Sequence, residues 1–120
     1  MSDLLSGRRI LVVEDEMLIV LMIEGILEDL GCHSVTSAAT VNKAVSLIET
    51  ETFDAAMLDM NLCGEDSSRV ADALSERAVP FIYSTGNDKR DMAQGARDHA
   101  VLYKPYHERD LIAALTQLLS

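Results

Sequence analysis

Arg8-Arg9-Ile10-Leu11-Val12-Val13-Glu14-Asp15 places four consecutive apolar residues between two arginines and two acids. A run this short, mostly β-branched and closed by charge at both ends, reads as a strand buried on both faces. Three further runs repeat the pattern. Phe53–Leu58 ends on Asp59, Pro80–Ser84 runs into Thr85-Gly86, and Ala100–Tyr103 runs into Lys104-Pro105. Proline at the start of the Pro80 run removes no ladder donor. Ser34–Ser37 reads as a weaker strand.

Helical patterns separate these strands. Glu16–Leu30 is followed by Gly31, a good residue for leaving a helix. Thr40–Glu49 carries Val41, Ala44, Val45 and Ile48 on one face. Asp66–Arg77, a weak Asp88–Asp98 and His107–Leu119 complete the set. Strict strand–helix alternation predicts an α/β fold, a doubly wound parallel sheet with right-handed crossovers. Five strands in the order 2-1-3-4-5 are the expected arrangement, with the reversal between the first and third strands. The 120 residues suit one domain, 1–120 with a core of about 8–119 and no output domain.

In such a sheet the carboxyl ends of the strands share one crevice. Glu14, Asp15 and Asp59 then converge, and three carboxylates in one crevice call for a divalent cation. Mg²⁺ takes hard oxygen ligands and keeps several waters. Asp15 and Asp59 are the expected direct ligands, with the Asn61 carbonyl, and Glu14 acting through water. Read alone, Glu14, Asp15 and Glu16 would only suit a helix N-terminus. Asp59 directly after a buried strand is placed to attack phosphorus and form an acyl phosphate. Lys104 supplies a point charge for a phosphoryl oxygen. Thr85, beside Gly86, supplies a hydroxyl; Ser84 competes, but alternation turns only one of the two into the crevice.

The net charge of −10 disfavours direct nucleic-acid binding and an anionic membrane surface. The longest apolar stretch, Met17–Ile23, is far short of the roughly 20 residues of a spanning helix. No signal peptide is evident, so the expected location is cytoplasmic. Cys32 and Cys63 read as free thiols, and His33, His99 and His107 as surface or structural residues.

Taken together, Leu11-Val12-Val13-Glu14-Asp15-Glu16, Leu58-Asp59-Met60-Asn61-Leu62, Ser84-Thr85-Gly86 and Tyr103-Lys104-Pro105-Tyr106 resemble a response-regulator receiver domain, the CheY-like type with a flavodoxin-like fold. The resemblance covers nearly everything from Arg9 to Leu119. It implies a phospho-accepting module of a two-component or phosphorelay system. Asp59 would take phosphate from a histidine kinase or histidine phosphotransfer protein, and a downstream protein partner would read the result. It further implies that Glu14 and Asp15 are the acidic pair, Thr85 the switch hydroxyl and Lys104 the family's lysine. Asn61 and Asn87 fall where the family tunes dephosphorylation. Val101 stands where many relatives carry Tyr or Phe, and Tyr103 shares its strand face. The loop after Asp59 lacks the usual proline. The Thr85-Gly86 pair resembles a subset of receivers that often stand alone.

Phosphorylation is expected to draw Thr85 toward the phosphoryl group and shift the loop after it. Met17 through Ile23 hold more apolar side chains than one buried stripe takes. Val20 and Met22 are therefore expected to face outward and dock the phosphodonor, or else a second copy in a homodimer. Two rival readings exist. A magnesium-dependent phosphohydrolase would need an acid two residues after its nucleophile, where Asn61 stands. A flavodoxin-like cofactor binder would need a phosphate loop where Glu14 and Asp15 repel phosphate.

Overall fold

The computed structural model describes residues 5–62, 65–85, 101–104 and 106–119. The expected helix over 88–98, together with Cys63, Gly86, Asn87, His99 and Pro105, lies outside the described residues. Chain order is β1 (Arg9–Val13), α1 (Met17–Asp29), β2 (Ser34–Ala38), α2 (Val41–Thr50), β3 (Ala55–Asp59), β4 (Asn61–Leu62), β5 (Glu65–Asp66), α3 (Ser68–Glu76), β6 (Phe81–Thr85), β7 (Val101–Tyr103) and α4 (Glu108–Leu119). The main sheet runs β2-β1-β3-β6-β7 with every pairing parallel, the order expected from the sequence.

Alternation along the strands divides the core in two. Leu11, Val13, Ala56, Leu58, Phe81 and Tyr83 face α2 and α3, where Val41, Ala44, Ile48, Val70 and Leu74 meet them. Ile10, Val12, Ala55, Met57, Ile82 and Leu102 face α1 and α4, against Ile23, Leu27, Leu111 and Leu115. Leu5, in a segment whose sequence reads as polar, is fully buried in this second layer.

The helix ends show how local chemistry sets the boundaries. Thr40 accepts the Lys43 N–H at 3.2 Å and caps α2. Gly31, at φ +85, closes α1. Its N–H donates to Glu28 O, and the Cys32 N–H to Leu27 O, which is the Schellman arrangement. Ala78 repeats it after α3, with donations from Ala78 N–H to Ser75 O and Val79 N–H to Leu74 O. It does so with a non-glycine residue at φ 56.

Two expectations need correction. The helix placed over 66–77 begins at Ser68, because Asp66 pairs with Asn61 in a two-residue hairpin of β4 and β5. The Ser67 hydroxyl donates to Met60 O at 3.2 Å and closes that hairpin. Val20 is buried rather than outward, since it lies on the same face of α1 as Ile23 and Leu27. The exposed apolar residues of α1 are Met17, Leu18, Leu21 and Met22. No helix among the described residues is long and apolar enough to cross a membrane.

Candidate functional site

The register brings the acids together. Val13 pairs with Leu58, so the residues that follow leave adjacent strands at the same edge, where the strand order reverses. One carboxylate oxygen from each of Glu14, Asp15 and Asp59 lies within 4.8 Å of the others. Glu14 and Asp59 are buried, and Asp15 is half-buried.

Lys104 enters from the far side of β3. Its backbone N–H donates to Thr85 O at 2.8 Å, fixing the end of β7 against β6. Its Nζ lies 2.9 Å from Glu14 Oε1, 3.1 Å from Asp59 Oδ2 and 3.6 Å from Glu16 Oε1. One ammonium thus bridges the ends of β1 and β3. Glu14 Oε2 also accepts the Glu16 N–H at 3.1 Å, which holds the turn into α1.

The electrostatics follow from this burial. Glu14 is pushed up to about 7, chiefly by loss of solvent, with Asp59 adding to the rise and Lys104 and the Glu16 N–H opposing it. Burial works against the Lys104 charge as well. The Glu14 and Asp59 carboxylates outweigh it and hold that ammonium above the ordinary lysine value. One lysine offsets one of the three clustered acids, so the cluster retains a surplus of negative charge. That donor set, all hard carboxylate oxygens, fits a small divalent cation.

Thr85 and Ser84 are both buried at the end of β6. Ser84 is the register partner of Asp59, and Thr85 that of Tyr103. Val101 is half-buried against the α2–α3 layer, and Tyr103 is exposed. The backbone of Asn61 lies in β4, and Asn87 falls outside the described residues. Glu16 and Tyr106 were not singled out from the sequence as parts of this site. Both line a cavity of about 390 Å³ with Ile19, Met22 and Lys104. Their short spacing from Glu14 and Lys104 is the one signal that marks them.

A family model described as the response regulator receiver domain matches residues 10–116. The transcriptional regulatory protein PdtaR of Mycobacterium tuberculosis is 32% identical over 123 residues, covering 99% of this chain and 60% of PdtaR. The chain thus spans about 60% of the length of that curated relative. The solution structure of SdrG from Sphingomonas melonis Fr1 is 41% identical with a TM-score of 0.84, covering 100% of both chains. SdrG in its BeF3-activated conformation matches with a TM-score of 0.83. The receiver domain of sensor histidine kinase PA1611 from Pseudomonas aeruginosa, solved with magnesium in its active site cleft, is 29% identical. It covers 95% of this chain and 98% of that one, with a TM-score of 0.79.

Proposed function

This chain belongs to the response regulator receiver domain family, and we propose that Asp59 is its phosphoacceptor. The donor is a phosphohistidine on a histidine kinase or a histidine phosphotransfer protein. The observation that carries the reading is the single Lys104 ammonium held 3.1 Å from Asp59 Oδ2 and 2.9 Å from Glu14 Oε1, within a cluster of three acids.

An Asp59 carboxylate oxygen forms the new bond to phosphorus as the phosphorus–nitrogen bond to the donor imidazole breaks. The imidazole keeps the electron pair and takes a proton. Lys104 then exchanges a carboxylate oxygen for a phosphoryl oxygen, and the Thr85 hydroxyl donates to another. The phosphoryl group adds roughly −1.5 to −2 of charge, which draws both side chains toward it. Asp15, Asp59, the Asn61 carbonyl and, through water, Glu14 would hold Mg²⁺. Bound there, Mg²⁺ screens the repulsion between the carboxylate and the incoming phosphate. Asn61 stands two residues after Asp59, which favours a stable acceptor over a hydrolase that turns over.

Signalling follows from the movement of Thr85 and Lys104, read by a downstream protein. Val101 replaces the aromatic side chain many relatives carry, so Tyr103, exposed on the same strand face, is the candidate readout residue, with Asn61 and Asn87 tuning the lifetime. Met17, Leu18, Leu21 and Met22 lie exposed on the helix that starts beside Glu14 and Asp15. A donor helix seated on them brings its histidine to the crevice.

The test is acetyl phosphate with Mg²⁺, comparing the native chain with Asp59→Asn. The native chain is expected to gain an acid-labile, hydroxylamine-sensitive phosphoryl mass, and the variant none. Equal labelling of both, or labelling of neither, refutes the assignment.

A further inference from the structure

Beside the lysine lies a pair of hydroxyls with no role in the steps above. Ser84 is 3% exposed. Its Oγ and the Tyr106 Oη are both buried without a hydrogen-bond partner among the described residues. An unpaired buried hydroxyl is costly, so two such groups side by side call for a physical account. Burial pushes the Tyr106 hydroxyl above its ordinary range, and the Ser84 hydroxyl works the other way. They are therefore near neighbours that stop short of a hydrogen bond of ordinary geometry.

Their places in the fold are informative. Ser84 is the register partner of Asp59 and directly precedes Thr85. Tyr106 comes two residues after Lys104 and directly before the start of α4. The His107 N–H donates to Asp110 Oδ2 at 3.1 Å, which caps that helix. Tyr106 packs into the same apolar layer as Leu111, the arrangement of a hydrophobic staple. A bond between the two hydroxyls would tie the segment carrying Thr85 to the segment carrying Lys104.

We propose that Ser84 and Tyr106 are positioning residues whose hydroxyls pair when Asp59 carries a phosphoryl group, holding Thr85 and Lys104 at the spacing that grips it. This rests on Asp59 being the acceptor. In the resting chain Lys104 is engaged with Glu14 and Asp59, and the neighbouring hydroxyls are not closed into a hydrogen bond of ordinary geometry. Drawing Lys104 and Thr85 onto one phosphoryl group brings their flanking residues together. One neutral hydrogen bond made only in that state favours it by about 2- to 12-fold.

The test uses beryllofluoride with Mg²⁺ on the native chain, Ser84→Ala, Tyr106→Phe and the double variant, with affinity read by calorimetry. Each single variant is expected to bind beryllofluoride about 2- to 12-fold more weakly. The double variant is expected to bind no more weakly than the weaker single, because one bond is lost in all three. Urea unfolding without ligand separates positioning from ordinary packing. There Ser84→Ala and Tyr106→Phe are expected to match or exceed the native chain, since each removes an unpaired buried group. Native affinity in the singles, losses that add in the double, or reduced stability of the unliganded singles overturns the proposal. If the native chain itself fails to bind beryllofluoride, the acceptor assignment falls, and this proposal with it.

Discussion

Glu14→Gln gives the sharpest check on the electrostatics of the crevice. Glu14 titrates at about 7 in the fold against an ordinary 4.5. Below pH 4.5 both folded and unfolded chains hold this proton, and the site costs nothing. As pH rises, the unfolded chain releases the proton first, while the folded chain retains it until about pH 7. A raised carboxyl value therefore means stability that is present at low pH and lost as pH climbs through the folded value. The loss reaches about 3 kcal/mol at pH 7. Glutamine keeps an oxygen for the Glu16 N–H and for Lys104 but carries no charge to bury. Urea unfolding in EDTA at pH 5, 6, 7 and 8, extrapolated linearly to water, gives the difference between variant and native chain. Every other titrating group is common to both, so the difference reads position 14 together with its coupling to Asp59 and Lys104. It is expected to rise in favour of Glu14→Gln by about 2–3 kcal/mol across that range. Added Mg²⁺ should restore stability to the native chain and do so less for the variant. Parallel profiles in EDTA would show that Glu14 is not held against its charge, and the account of the cluster would fail.

Lys104→Met leaves two buried carboxylates without their cation and should cost about 3–5 kcal/mol in EDTA at pH 8. The loss should shrink at pH 5, where Glu14 takes up a proton; urea unfolding at the two pH values reads both. Ala78→Gly should raise stability by about 0.5–1 kcal/mol, because Ala78 sits at φ 56 where glycine carries no Cβ penalty; a thermal melt checks it. Replacing exposed Leu18 and Leu21 by serine should slow transfer from a phosphohistidine donor while leaving acetyl-phosphate labelling unchanged, and equal slowing of both refutes the docking face. Val20→Ser, in the core of the same helix, should instead destabilise by about 2–4 kcal/mol.

The sheet was legible because four of its five strands announce themselves twice, by an apolar run and by the residue that ends it, while the weaker Ser34–Ala38 was placed by the strand–helix alternation around it. Ile10–Val13 before Glu14 and Ala55–Leu58 before Asp59 needed no tertiary information. The β4–β5 hairpin was invisible for the opposite reason. Two residues a side carry no periodicity, and what fixes the hairpin is Leu62 in the core and the Ser67 hydroxyl on Met60 O, contacts made only after folding. Val20 was misplaced because seven successive apolar residues leave the helical phase undetermined. The phase is set by Ile23 and Leu27 meeting the sheet.

The same distinction separates the acids from the hydroxyls at the site. Charges are legible in sequence because three carboxylates at neighbouring strand ends call for a divalent cation whatever the side-chain details, and Lys104 at the end of the last strand reaches in beside them. A hydroxyl is not so constrained. Ser84 and Thr85 are adjacent and both buried, and alternation turns them to opposite sides of the strand. Ser84 shares its side with Leu102 through the register and comes within reach of Tyr106, a relation set by the approach of α4 to the sheet. Sequence order therefore determines which charges gather in this crevice, while the packing of α4 determines which hydroxyls can respond when one of those charges becomes a phosphate.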